Sequence, residues 1–148
     1  MPNPFIILVA LGAGLLPGTP NAYLTGLATD LGHKPVVVTC AAKGTTGGQA
    51  FVGQPYILLG GRTCYDAVQG ETVGVLSLLH EYAHTLGIRN EGQANCVALS
   101  VEGFVLQKYW YLKAKVALTR VREAYRFVMR QQPQAYHPVN CRIKGVTD

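Results

Sequence analysis

Apolar and polar positions along the chain follow two regimes, and the change between them falls near residue 72. Before it the apolar residues come in short blocks. Phe5 to Leu16 is a continuous apolar run ended by Pro17-Gly18, and Ala22 to Leu31 reads as a short helix closed by Gly32. Lys34 to Cys40 is β-branched and short, which predicts a strand, and Pro55 to Leu59 predicts a second, ending at Gly60-Gly61. Lys43 to Gly48 lies between them as a loop whose glycines relax the backbone. From Thr72 the period becomes helical. Val73, Leu76, Leu79 and Ala83 fall at steps of three and four, and Gly87 stops the run. Asn90 is a good N-cap for a second helix, whose stripe runs from Ala94 through Val101 and Val105 to Leu112. A third helix follows from Lys115 to Gln131, with Leu118, Val121, Tyr125 and Val128 on its inner face. The tail, Gln132 to Asp148, carries two prolines and is expected to lie extended over the surface. A small strand region followed by three helices makes the fold class α+β.

Composition narrows the class. With 148 residues, 49% hydrophobic and 14% charged, the chain suits one domain with a real core and excludes a disordered polyelectrolyte. No apolar run reaches the length of an ordinary membrane span. Phe5 to Leu16 has the length of a secretory h-region, so residues 1–22 are read as a signal-like or anchoring segment and residues 23–148 as a single domain. Against this, no Lys or Arg precedes the run and Pro20-Asn21-Ala22 is a poor cleavage site; the alternative is a segment packed on the domain. The glycine cluster lacks the G-K-[ST] that closes a phosphate loop, which argues against nucleotide binding.

Four cysteines allow three pairings, and none forms a C-x-x-C pair, so a cysteine zinc site is not expected. Cys40 ends one apolar run and Cys64 follows the next, as neighbouring strands would allow. Cys96 lies in a helical pattern and Cys141 in the tail. The preferred pairs are therefore Cys40–Cys64 and Cys96–Cys141, which need an oxidising compartment. The expected location is secreted or extracytoplasmic, with membrane anchoring through residues 1–22 as a variant. Four buried thiols in a cytosolic protein is the alternative.

The candidate chemistry sits in His80-Glu81-Tyr82-Ala83-His84. Residues four apart on a helix lie one above the other, so both imidazoles can reach one cation. Glu81 projects beside it, where a carboxylate can take a proton from water without being a ligand. Zinc suits two neutral imidazoles plus one carboxylate and leaves a position for water. Only eight acids are present, which shortens the search for the third ligand. Glu91 stands in the first turn of the next helix, seven residues beyond His84, where a tight helix-turn-helix can bring it over the histidines. Glu102, Asp66 and His137 are the alternatives. Glu91 would also interact favourably with the helix dipole. Tyr82 is expected to point away from the metal and pack.

H-E-x-x-H followed by Asn90-Glu91-Gly-Gln-Ala-Asn95 resembles the gluzincin zinc metallopeptidases over Leu79 to Asn95. The near-adjacent motifs and the run Glu91 to Ala98 are similar to minimal gluzincins and to short domains of the ImmA/IrrE type. The late Tyr136…Cys141-Arg142 looks like the tail of small secreted actinobacterial H-E-x-x-H proteins. The resemblance implies a zincin-like pair of active-site helices. It makes His80, His84 and Glu91 the zinc ligands, Glu81 the general base and acid that activates a zinc-bound water, and Asn95 the support for His80. It departs from the large members in lacking anything like their second catalytic domain. Peptide hydrolysis also needs an oxyanion donor. Tyr136 and His137 are the candidates that a Cys96–Cys141 bridge would hold near the second helix; Arg89 is another.

The charge adds a second theme. Thirteen Lys plus Arg against eight Asp plus Glu give a net charge of +5, and between Lys108 and Arg130 there are seven cations and one anion, Glu123. Such a face suits an anionic surface; no nucleic-acid module signature is present. The expected activity is zinc-dependent hydrolysis of peptide or amide bonds in a peptide or protein substrate, by a monomer. The alternative is a non-catalytic, zinc-stabilised binding domain attached to an anionic surface through the basic helix.

Overall fold

The computed structural model describes residues 19–148, so the apolar run Phe5–Leu16 and the expectations attached to it lie outside the described residues. The order of elements is α1 (Pro20–Gly32), β1 (Val37–Cys40), β2 (Gly48–Ala50), β3 (Tyr56–Leu59), α2 (Gly61–Val68), α3 (Thr72–Thr85), α4 (Glu91–Trp110) and α5 (Ala114–Gln131), then a 3-10 turn at Gln134–Tyr136. This is an α+β fold: a helix, a three-stranded sheet, and four further helices. No helix among the described residues is long and apolar enough to cross a membrane.

The sheet has strand order β1-β3-β2, with β1 parallel and β2 antiparallel to β3. Alternation puts Val38, Ile57 and Leu59 into the core while Val37, Tyr56 and Leu58 face out. The β1 edge is covered by α1, whose Thr25 and Thr29 hydroxyls accept from the Val38 and Val36 amides at 2.9 and 3.1 Å. The other edge belongs to β2.

α3 is the central helix, packed against α2, α4, α5, β2 and β3. Val75, Leu76, Leu78, Leu79 and Ala83 are all buried along it. Each of its fully buried leucines contributes about 1.5–3 kcal/mol. Its approach to α2 depends on Gly74, where a Cβ would stand 2.4 Å from the Ala67 nitrogen. The two following helices pack on α3 and on each other, with Ala94, Ala98 and Leu106 of α4 and Ala117, Val121 and Val128 of α5 buried.

Several elements differ from the sequence expectation. α1 begins two residues earlier, because Thr19 caps it through the Ala22 amide and Pro20 is pre-set for the first turn. α4 ends at Trp110, whose indole donates to the Val68 carbonyl at 3.0 Å, and Tyr111 adopts a left-handed conformation (φ 56°). Two elements were not expected at all: β2, formed from the glycine-rich stretch, and α2, which follows directly on Gly60. Both preferred disulfides are formed and no cysteine is free. Cys40–Cys64 joins β1 to α2, strand to helix and not strand to strand, while Cys96–Cys141 ties α4 to the tail. Two disulfides suit an oxidising, extracytoplasmic environment.

Candidate metal centre

His80 and His84 sit four residues apart on the inner face of α3, buried, and Asn90 caps α4 by accepting from the Gln93 amide at 2.9 Å. That cap fixes the first turn of α4 against the end of α3 and turns Glu91 back over the imidazoles. His80 Nε2 lies 2.8 Å from Glu91 Oε2 and 3.1 Å from His84 Nε2; His84 Nε2 lies 3.3 Å from the same carboxylate oxygen. Asn95, fully buried one turn further along α4, faces the other side of His80.

The hydrogen bonds around this group fix the donor at Nδ1 of each ring. Asn95 Nδ2 donates to the Tyr136 carbonyl and to Gln132 Oε1, both at 2.8 Å, so its Oδ1 is the atom facing His80 Nδ1 at 2.8 Å. His80 must therefore donate from Nδ1. His84 Nδ1 likewise donates to the Ile88 carbonyl at 2.6 Å. When both rings are neutral, their Nε2 lone pairs are bare and meet a carboxylate oxygen at the same point. Three lone pairs at such separations repel unless a cation lies between them. A tetrahedral ion with bonds of about 2.1 Å holds its ligand atoms about 3.4 Å apart, close to the distances found. His80, His84 and Glu91 could thus hold a metal ion, and the residues present fit one.

Glu81 lies beside the donors without joining them. It is buried, and burial is the main reason its carboxyl is pushed up to about 7; Glu91 pushes the same way, while His84 and the Ala50 amide oppose it. Burial holds the His80 imidazole below its ordinary value, and His84 adds to this, while Asn95 and Glu91 work against it. The neutral ring that a metal requires is thereby favoured.

These groups open into a cleft of about 420 Å³, whose walls include Gly48 and Ala50 of β2, Gln132 and Tyr136. Gly53, in the β2–β3 connection, donates to the His84 carbonyl at 2.9 Å and anchors that hairpin across the end of α3. A side chain at Gly48 would push on Glu81 and Leu59: a Cβ would stand 2.7 Å from Glu81 Cγ and 2.9 Å from Leu59 Cδ2. Tyr136 stacks on His80, ring centres 5.7 Å apart and planes 23° apart, and burial raises its phenol further above the usual range. The Cys96–Cys141 bridge and the contact of the 3-10 turn with α4 hold it there.

The structure brings together His80, Glu81, His84, Glu91, Asn95 and Tyr136. It does not bring in His137, whose Nε2 faces the Gln132 carbonyl at 3.1 Å and whose ring lines a separate surface hollow with Asn90 and Val139. Arg89 is exposed and is not part of the cleft wall. Of the alternative third ligands, Asp66 is engaged by Arg62 at 3.0 Å and Glu102 is buried in the core. Tyr82 packs in the core against Gly32, as expected. Sequence reasoning missed Gly48, Ala50 and Gln132. Comparison with protein-family models, with curated proteins and with solved structures finds no match to the chain.

Proposed function

We propose that this protein is a zinc-dependent hydrolase of peptide or amide bonds, of the gluzincin type its motifs resemble, working outside the cytoplasm. The observation that carries the reading is the meeting of two bare imidazole lone pairs and one carboxylate oxygen beside a separate buried carboxyl, Glu81, in one open cleft. His80, His84 and Glu91 would hold zinc, with Asn95 keeping the His80 ring in its tautomer. Zinc when bound supplies a Lewis acid that polarises the scissile carbonyl and makes water more acidic.

Glu81 takes the proton of the attacking water and returns it to the leaving nitrogen, a role that suits a carboxyl held near neutrality. Tyr136, on the cleft wall above His80, is the donor placed to stabilise charge developing on the substrate oxygen. A peptide is favoured as substrate by the sheet itself. Its β1 edge is closed by Thr25 and Thr29, whereas the β2 edge runs along the cleft and offers backbone groups to an extended chain.

Glu81→Gln tests this directly. The variant is expected to keep its zinc and lose turnover of a peptide library by about 10²–10⁴-fold. Zinc-loaded wild type without cleavage, or a variant as active as wild type, would favour the non-catalytic binding domain instead.

A further inference from the structure

The surplus of cations is concentrated by the fold into one file. Lys115, Arg122, Arg126 and Arg130 of α5 are exposed, at spacings of seven, four and four residues, and so fall on one side of the helix. The opposite side carries the buried Ala117, Val121, Ala124 and Val128. At 1.5 Å per residue the file is about 22 Å long. Arg122 Nε donates to the Gly145 carbonyl at 2.8 Å, which brings the exposed Arg142 and Lys144 of the tail alongside.

No carboxylate pairs with these charges among the described residues. Asp30 is taken by Lys108 at 2.9 Å, Asp66 by Arg62, and Glu123 by Arg120 at 3.5 Å; Glu81 and Glu91 face the cleft, Glu102 is in the core, Glu71 forms no ion pair, and Asp148, in the tail beside Arg122, accepts from the Gly145 amide. Two members of the sequence run, Lys108 and Arg120, are thereby removed from the patch. Among the described residues, none of the four file members has a carboxylate oxygen within 4.0 Å.

We infer that this file, extended by Arg142 and Lys144, binds a linear polymer of phosphate groups. Three of its four members are arginines, whose planar guanidinium matches phosphate through paired hydrogen bonds. A single file one helix wide follows a strand and not a plane. A bilayer would need apolar side chains interleaved along the whole file; of the exposed large apolar residues of α5, Met129 falls within the file, one against four cations, and Val116 lies to its side. A nucleic acid read by its bases would need aromatic platforms among the cations, and the file has none. The inference is independent of the metal site.

Long-chain inorganic polyphosphate is the probe, titrated against the intact protein at a series of salt concentrations. The expected result is binding whose logarithm falls with log salt at a slope of about −3 to −4, for four to six contacts at about 0.7 each. Changing Lys115, Arg122, Arg126 and Arg130 together to Gln is expected to weaken it by about tenfold or more at low salt. Changing Lys34, Lys43, Arg62 and Lys108 to Gln removes the same net charge and is expected to leave binding within about twofold. Unchanged zinc content and thermal midpoint in the file variant show that its fold and metal site are intact. Equal loss in both variants, no binding of polyphosphate at low salt, or file-dependent binding to phosphatidylserine vesicles without polyphosphate binding would each overturn the inference.

Discussion

α4 carries two carboxyls on the same side of the helix, eleven residues apart, and their surroundings could hardly differ more. Glu91, in the first turn, is half-buried and meets two imidazoles at 2.8 and 3.3 Å. Glu102, three turns along, is fully buried, and neither of its oxygens has a hydrogen-bond partner among the described residues. Burial pushes the Glu102 carboxyl well above the carboxylate range, which keeps it neutral in the core. At the Glu91 end the groups that orient the histidines are answered. Asn95 answers His80, the Ile88 carbonyl answers His84, and the Tyr136 carbonyl and Gln132 answer Asn95. The lesson is that burial by itself only neutralises a carboxyl. A ligand requires other groups that fix protonation and leave lone pairs converging.

The largest effect that would sharpen this contrast comes from the tail, which supplies the metal end with partners and the Glu102 end with none. Replacing Cys96 and Cys141 by Ala opens a link across 45 residues, for which loop-closure entropy predicts a loss of about 4 kcal/mol. Denaturant unfolding is expected to show that loss, with zinc affinity falling as the tail leaves Asn95. Unchanged zinc affinity in a folded double variant would mean that the tail does not organise the site.

Next is Asn95→Ala, which removes the acceptor that fixes His80. Such supporting contacts are worth about 10–100-fold in metal affinity, and competition with a zinc chelator reads it. An affinity within twofold of wild type would contradict the tautomer assignment.

The smallest effect lies at the other end. Glu102→Met removes a buried group without partners and is expected to raise stability at neutral pH by about 1–3 kcal/mol. The sign with pH follows from the raised value. The folded state keeps the proton while the unfolded chain loses it near pH 4.3. The stability contributed by protonated Glu102 is therefore full below that pH and declines as pH rises. The gap between variant and wild type, read from urea midpoints, should be larger at pH 7 than at pH 4. An equal gap at both would show that Glu102 is not held neutral.

How far the sequence discloses this molecule depends on the range of the interactions. The helices of the second half were legible because their apolar stripes repeat over many turns, and the grouping of His80, His84 and Glu91 because two motifs on adjacent helices carry them. The cysteine pairs were preferred among three choices from their positions along the chain, although Cys64 proved to lie on a helix and not on a neighbouring strand. β2 was not, because Gly48-Gln-Ala50 has no β-branched residue and becomes a strand only by pairing with β3. α2 did leave a signal, with Thr63, Cys64, Ala67 and Val68 buried at helical spacing, masked by reading Gly60-Gly61 as the end of a strand and no more. Gln132 and Gly48 belong to the site through contacts that only the folded tail and hairpin create. His137 and Tyr136 are neighbours in sequence, yet the 3-10 turn sends one ring to His80 and the other to a separate hollow.

The central claim is that His80, His84 and Glu91 hold zinc, and elemental analysis of the purified full chain tests it most directly. The account predicts about one zinc per chain in wild type and in Glu81→Gln, and essentially none in His80→Ala or Glu91→Ala, with all four proteins folded. Wild type that takes up no zinc after reconstitution, or His80→Ala that retains it, would contradict the account.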